Sequence, residues 1–425
     1  MNNPVIHFFV SLLSNPAVIL GIVAFIGLVA QHKSGTDVFK GTMKTIIGFL
    51  IFSVGASTMT GALQNFNTMF EKGFHIEGVI ASPEAATALA QNKFGFVVSM
   101  TLILGFIMNV VFARITPFKN LFFTGGHSLF FACVLALILK FHHLQDGWAI
   151  VIGGLILGFA SSALPQLCQP FMRKITGGDD QAIAHFNMIG YALSGCIGLL
   201  FKKHADESTE NIKFPKWLGV FKDFLMGVAI IMLIIFYVAA FAAGQQEVSK
   251  ISNGVDWLVF PLIQALTFTA GISILMSGVR MFLAEITAAF VSISEKFIPG
   301  SRPALDVPTI FPFAPTAVLV GFISSYVAGL IGVAVMALCH FPMVIIPAAH
   351  ICFFSGGTAA IFGNSTGGWR GAVVGSFVVG LLLAFLPVLL APVLTGLGIN
   401  GATFPNVDYN VIGSILNGIL SLFHV

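Results

Sequence analysis

Apolar segments long enough to cross a bilayer follow one another along almost the whole chain. A spanning helix needs about 20 mostly apolar residues, and the clear candidates are about 8–31, 45–62, 95–113, 147–164, 223–243, 256–276, 316–339 and 371–396. Further apolar stretches near 121–140, 181–201, 344–363 and 408–425 are short or interrupted by glycine. We therefore predict an all-α polytopic membrane protein with about ten transmembrane helices and some segments that enter and leave on one side.

The scarcity of charge excludes the other classes of protein. Only 37 of 425 residues are charged (20 Lys and Arg, 17 Asp and Glu), which is 9% of the chain, against roughly 25% in a soluble domain. A soluble enzyme, a nucleic-acid-binding protein and a disordered chain are excluded, because each needs far more polar surface. The five cysteines form no CxxC pair, so neither a disulfide framework nor a metal site is expected. No cofactor is expected either.

Basic residues outside the apolar segments predict the orientation of the chain. Lys33, Lys40 and Lys44 follow the first apolar segment, and the polar loop 202–222 contains Lys202, Lys203, Lys213, Lys216 and Lys222. Loops rich in lysine and arginine face the cytoplasm. Both clusters are therefore predicted to be cytoplasmic, which places the N-terminus outside.

Two pairs of similar segments indicate an internal repeat. Residues Phe122–His127 resemble Phe353–Thr358 at a distance of 231 residues, and Leu102–Ile107 resemble Val318–Ile323 at a distance of 216. The polar loop lies between the halves, so we predict repeat one at about 1–200 and repeat two at about 223–425. Inverted repeats with glycine-broken re-entrant segments are typical of transporters that bind a polar substrate near the midplane.

A few ionisable residues lie inside apolar stretches, where an ionisable side chain is costly and is therefore a functional candidate. His127 follows two glycines, His185 lies in an apolar stretch, and Asp306 precedes Pro308 in a proline-rich break. The break at membrane depth favours a functional role for Asp306. For the two histidines, a functional role and a structural role in helix packing both stay open.

Other charged residues near apolar segments are interpreted as structural. Arg280 and Glu285 are expected to pair with each other, and Arg370 is expected to lie at the membrane interface. No Walker motif, GxSxG, HExxH or CxxC is present, so neither nucleotide hydrolysis nor nucleophilic catalysis is predicted.

Four separated blocks resemble one family, in the same order along the chain. They are Lys40–Phe49, Thr124–His127, Gly278–Glu285 and Gly367–Arg370. Together with Phe214–Leu218 after the polar loop, they resemble the enzyme IIC membrane component of the L-ascorbate family, within the ascorbate–galactitol group of the bacterial phosphotransferase system.

The resemblance implies a single enzyme IIC domain over 1–425, with interleaved scaffold and core subdomains, in a homodimer in the bacterial inner membrane. It implies an elevator-type movement that carries a sugar to a separate cytoplasmic IIB protein, which transfers a phosphate and is itself supplied by IIA. No residue of this chain is expected to be phosphorylated.

Family substrate contacts are carried over residue by residue, with some departures. A backbone turn falls at Gly55 and Ala56, and the matching polar residues are His127, His185 and Asp306. Three contact sites depart from the ascorbate pattern, where this chain has Pro83 with Glu84, Phe131 and Phe186.

The departures predict that the site binds an anion such as ascorbate less well than a site with the family pattern. Glu84 near Asp306 disfavours an anion, and a substrate hydroxyl left unpaired against a phenyl ring costs about 1–3 kcal/mol. A neutral sugar or polyol is therefore predicted as a candidate beside L-ascorbate.

Two other function classes stay open. A proton- or sodium-coupled secondary transporter would use His127, His185 and Asp306 as a relay. A structural or receptor-like membrane protein would show no transport defect on Asp306→Asn or His127→Ala.

Overall fold

The structure, a computed structural model, describes residues 16–75, 77–212, 220, 223–298 and 300–422. In this part of the chain seven helical segments are long and apolar enough to cross a membrane: Gly35–Phe74, Pro83–Ile115, Asp146–Thr176, Leu225–Ile251, Val259–Phe282, Pro315–Leu338 and Ala349–Gly396. Shorter apolar helices are Leu20–Ala30, Gly125–Phe141 and Met188–Leu199. The all-α polytopic class is confirmed, whereas the total of about ten spanning helices stays a prediction.

The helices are named in chain order. They are α1 Pro16–Ala30, α2 Gly35–Phe74, α3 Pro83–Ile115, α4 Gly125–Phe141, α5 Asp146–Thr176, α6 Met188–Leu199, α7 Phe224–Ile251, α8 Val259–Phe297, α9 Pro315–Leu338, α10 Ala349–Ile351, α11 Gly357–Phe385, α12 Ala391–Gly396 and α13 Val407–Leu422. A π turn, Cys352–Gly356, joins α10 to α11. Short strands precede several helices: β1 Glu77–Ile80, β2 Asn120–Phe122, β3 Ala182–Ile183, β4 Arg302–Leu305 and β5 Met343–Ile346.

Helices α2 and α8 cross at a distance that only small residues permit. A Cβ on Gly55 would lie 2.3 Å from the backbone nitrogen of Leu275, and a Cβ on Gly278 would lie 2.3 Å from that of Phe52. Apolar helices in a bilayer associate through such close contacts because lipid offers no hydrophobic driving force. These helices also pack against α7 and α1, while α3 packs against α5 and α11 packs against α6 and α9.

The short strands join the two halves of the chain. β1 pairs in parallel with β5, and β4 lies between β2 and β3, also in parallel. Ile80 at the end of β1 also bridges to Ala402. The first strand of each half thus pairs with later strands of the other half, which is the pattern expected if a pseudo-two-fold axis relates the halves. The inverted repeat itself stays a prediction.

The strands correct the alignment of the two halves. β2 ends at residue 122 and β5 ends at residue 346, which are 224 apart, whereas the similar FF[TS]GG segments are 231 apart. Gly125 begins α4 just after β2, but Gly356 is the last residue of the π turn after α10 and Gly357 begins α11. The two glycine pairs therefore occupy different positions relative to the strands and helices of their halves.

The polar loop after α6 is anchored to the second half of the chain. The Glu210 carboxylate accepts hydrogen bonds from the backbone nitrogens of Thr316 (3.0 Å) and Ala317 (3.1 Å), at the start of α9. The Trp369 backbone nitrogen donates to the Glu207 carbonyl (2.8 Å). Lys202 and Lys203 are exposed. The rest of the expected lysine cluster (Lys213, Lys216 and Lys222), the whole of Phe214–Leu218 and residues 1–15 lie outside the described residues. The orientation of the chain therefore stays a prediction.

Glu285 and Arg370 make contacts that were not expected from the sequence. The Glu285 carboxylate lies 3.9 Å from the Lys44 ammonium, not beside Arg280. The Arg370 guanidinium lies 3.5 Å from Glu207 and 5.3 Å from the centre of the Trp369 ring. Arg370 therefore helps to hold the loop, and it lies just after the glycine break at Gly367 and Gly368 inside α11.

Asp179, outside the spanning segments, joins α5 to β4. Its carboxylate accepts hydrogen bonds from the Arg173 guanidinium (2.9 Å) and from Arg302 (3.0 Å). Hydrogen bonds from Arg173 and Gln169 lower the pKa of Asp179 from 3.8 to about 2. A carboxyl with a depressed pKa stabilises the fold above its unfolded pKa, and that contribution is lost as the pH falls through the folded value.

We expect Asp179→Asn to lower the melting temperature at neutral pH by a small amount, because the carboxylate is partly exposed and screened. The difference from the wild type should persist to about pH 4 and shrink below it, as the wild-type carboxylate becomes protonated. Melting of the detergent-solubilised protein between pH 3 and 7 measures this. Asp180→Asn is the control, and an unchanged difference at pH 3 would contradict the assignment.

Candidate functional site

A buried acid–histidine pair, Glu84 and His350, forms where β1 meets β5. Glu84 is the second residue of α3 and His350 the second residue of α10, and these helices start just after the paired strands. The Glu84 Oε2 and His350 Nε2 atoms are 3.1 Å apart. The Ser82 hydroxyl also donates to Glu84 Oε2, at 2.9 Å. Both side chains are almost fully buried, so the pair lies inside the protein.

His127 and Asp306 follow a second pair of neighbouring strands, β2 and β4. His127 is the third residue of α4, which follows β2, and Asp306 comes directly after β4. The Asp306 carboxylate accepts a hydrogen bond from the Val307 nitrogen (2.7 Å) and so caps a short 3₁₀ turn. It also interacts electrostatically with the His127 imidazole. Each half of the chain thus supplies one carboxylate and one imidazole, to different pairs.

His185 completes a histidine cluster. It follows β3, the other neighbour of β4, and its ring centre lies 4.0 Å from that of His127. The Tyr191 hydroxyl lies 2.5 Å from His185 Nδ1. The parallel strands therefore bring His127, His185 and Asp306 together, as expected of residues that share a site.

Tyr409 links His127 to a set of buried aromatic rings. Its hydroxyl donates to the His127 carbonyl (3.1 Å) and lies 3.2 Å from His127 Nδ1. Its ring stacks on Phe131 with centres 5.4 Å apart, and Phe131 contacts Phe186 at 4.6 Å. Phe131 and Phe186 are fully buried, so they form an apolar layer beside the histidines. Direct contact of these rings with a substrate stays a prediction.

The first turns of α6 and α13 face each other beside this layer. The Asp408 carboxylate accepts hydrogen bonds from the Met188 nitrogen (2.8 Å) and the Ile189 nitrogen (2.9 Å). In return, the Asn187 side-chain oxygen accepts a hydrogen bond from the Val407 nitrogen (2.7 Å). The first N–H groups of a helix have no partner within it, and here each helix satisfies those of the other.

The remaining predicted residues are Gly55 and Ala56 in α2 and Pro83 at the start of α3. Gly55 and Ala56 lie within the continuous helix α2, not in a turn, and Gly55 packs against α8. A contact of Gly55 and Ala56 with a substrate stays a prediction. Pro83 is the first residue of α3, where a missing N–H costs nothing, and it starts the helix that carries Glu84.

Sequence reasoning missed His350, Tyr409, Tyr191 and Asp408. A signal existed for His350: two small residues precede it, as two glycines precede His127, and the two histidines are 223 residues apart. This distance is close to the 224 given by the strands. The stronger FF[TS]GG similarity hid it. Tyr409 and Asp408 lie at the start of an apolar helix and have no comparable pattern.

The site has the chemistry of a hydroxyl-binding site. Its imidazoles, carboxylates and phenols both donate and accept hydrogen bonds, as a polyhydroxylated ligand requires. Among the described residues, no lysine or arginine contributes to the charge interactions of Glu84, His127, His185 or Asp306. The described part of the chain also has no group of three or more His, Cys, Asp or Glu side chains placed to hold a metal ion.

Comparison with known proteins agrees with this architecture. The family model described as the PTS system sugar-specific permease component, EIIC-GAT, matches residues 11–408. The chain is similar to the ascorbate-specific PTS system EIIC component of Mycoplasma pneumoniae, with 27% identity over 424 residues that cover 87% of this chain and 64% of that protein. The match thus spans somewhat less than two thirds of that relative. Because the family model covers nearly the whole chain, this protein belongs to the family of sugar-specific permease components, EIIC-GAT, of the phosphotransferase system.

Proposed function

We propose that this chain carries a sugar across the bacterial inner membrane and presents it to a phosphorylated IIB protein. The observation that supports this most is the convergence of Glu84, His127, His185 and Asp306, from both halves of the chain, at the starts of helices. Polar side chains gathered where two halves meet are typical of a transporter's substrate site. Phosphate transfer itself is assigned to the separate IIB protein, which is supplied by IIA.

The proposed substrate is L-ascorbate or a related neutral sugar or polyol. The similar protein of Mycoplasma pneumoniae is described as ascorbate-specific, which favours ascorbate. Two carboxylates without a lysine or arginine partner in the described site favour a neutral, hydroxyl-rich ligand.

The proposed mechanism is an elevator movement within a homodimer. Helices α1, α2, α7 and α8, which pack against one another, are assigned to the scaffold. The helices that follow the paired strands are assigned to the moving core, because their first turns hold the site. The loop 202–222 is placed at the cytoplasmic face and the N-terminus outside.

Uptake by proteoliposomes tests this proposal. With phosphorylated IIB inside the vesicles, we expect labelled sugar to accumulate as sugar phosphate. A IIB protein in which the reactive cysteine is replaced by serine is the control, and it should abolish accumulation.

A proton-coupled transporter is the second candidate, because the buried pair of Glu84 and His350 and the partly buried His127 and Asp306 offer sites for protons. In that case a proton gradient should drive accumulation of unmodified sugar without IIB. This outcome would contradict the proposed coupling to phosphorylation.

A further inference from the structure

The contact between Glu84 and His350 lies in the same polar region as the histidine cluster. Helix α3, which starts with Glu84 in its first turn, packs against α4, which carries His127 in its first turn. The charge of Glu84 therefore acts on His127 and on the Tyr409 hydroxyl, and that hydroxyl contacts His127. A change of charge at Glu84 or His350 therefore acts on the groups that would face a substrate.

The topology makes this pair of residues the counterpart of His127 and Asp306. In each case the acidic residue follows the first strand of one half and the histidine follows a paired strand of the other half. The geometry differs in one respect. His350 lies within hydrogen-bonding distance of Glu84, at 3.1 Å, whereas the Asp306 carboxylate bonds to its own backbone turn.

An ionised carboxylate that is buried without a partner is strongly unfavourable. With Glu84 6% and His350 3% exposed at their side chains, the two groups are therefore stable as a neutral unit. That unit is either a carboxylate with an imidazolium or a carboxylic acid with a neutral imidazole. Loss of one partner would leave a charge, or a group able to take one, close to His127.

We propose that Glu84 and His350 together determine the charge class of the sugar that this site accepts. This inference rests on the proposed function. While the pair is neutral, the site tolerates a neutral polyol and does not repel a sugar acid anion. His350 thus offsets the charge that Glu84, read from sequence alone, brings into the site.

Equilibrium binding to the purified, detergent-solubilised chain tests the inference without IIB. The probes are ascorbate, as the anion, and galactitol, as a neutral polyol, and the readout is the ratio of their affinities. We expect His350→Gln to shift the ratio toward galactitol and Glu84→Gln to shift it toward ascorbate. Each shift should be roughly tenfold, as expected for one charge at a poorly solvated site.

Two further variants separate specificity from folding. The exchanged pair Glu84→His with His350→Glu keeps the net charge, and its ratio should return to within about threefold of the wild type. His142→Gln is the matched control, because buried His142 also bonds to the other half of the chain, with Nε2 2.9 Å from Asn417 Oδ1, but lies at the far end of α4. It should leave the ratio unchanged.

The measurements distinguish failure of this inference from failure of the proposed function. If the wild type binds a sugar but the ratio stays constant in both single variants and in the exchanged pair, the pair is only structural and the inference is wrong. If the wild type binds neither probe nor any other sugar, the proposed function fails, and this inference fails with it.

Discussion

The substitution Asp408→Ala should prevent most of the protein from reaching a stable folded state. Asp408 is fully buried and accepts hydrogen bonds from the Met188 and Ile189 nitrogens, at 2.8 and 2.9 Å. Asp408→Ala leaves both N–H groups without a partner, at a cost of about 1–3 kcal/mol each. A total of roughly 2–6 kcal/mol is comparable to the whole stability of many domains. Yield of monodisperse protein and its melting temperature in detergent measure the effect.

Two variants show that the effect belongs to the buried contact. Asp408→Asn keeps one side-chain acceptor oxygen and should lie between the wild type and alanine. Asp223→Ala also removes an aspartate that accepts from the start of a helix, at 3.0 Å from the Met226 nitrogen, but this site is exposed and water can replace the carboxylate. It should cost about 1 kcal/mol. Normal yield and melting of Asp408→Ala would disprove the capping role.

Asp306→Asn is expected to weaken sugar binding by roughly 10- to 100-fold while leaving the fold intact. Asparagine caps a turn about as well as aspartate, so the contact with the Val307 nitrogen should survive. What is lost is the negative charge beside His127, and hydrogen bonds to charged groups contribute about 1.5–3 kcal/mol. Binding of the sugar and phospho-IIB-dependent uptake measure the change.

The control for Asp306 is Asp146, which begins α5 and follows the end of α4 that is opposite His127. Asp146 lies 2.7 Å from the Lys140 ammonium, and Asp146→Asn should leave sugar binding unchanged. If Asp306→Asn binds and transports like the wild type, Asp306 is only a turn cap. A structural or receptor role for the protein would then be favoured.

The candidate site was predicted in part from the sequence. His127, His185, Asp306 and Glu84 stand out because ionisable residues are rare in apolar stretches, and the structure brings these four into one polar region. His350 is buried as Glu84 and His185 are, but its correspondence to His127 became visible only from the strand ends. Gly55 was assigned to a turn from the resemblance, yet it lies in a helix crossing, where a glycine serves close packing equally well.

The structure gives Phe131 and Phe186 a buried partner. The resemblance puts these rings at substrate-contact positions, and that contact stays a prediction. In the structure they pack on Tyr409 and on each other, and Tyr409 places a hydroxyl beside His127. No local sequence pattern reveals the packing of Tyr409 on Phe131, because Tyr409 lies 278 residues beyond Phe131.

The sequence by itself determined the class of protein, because apolar segments of bilayer length must satisfy their backbone groups internally and so form helices. It also determined which few ionisable residues need a polar environment. Only the tertiary structure decided which acid meets which histidine. Those contacts depend on parallel pairing of four-residue and shorter strands from opposite halves of the chain, and such distant pairing leaves no periodic signal in the sequence.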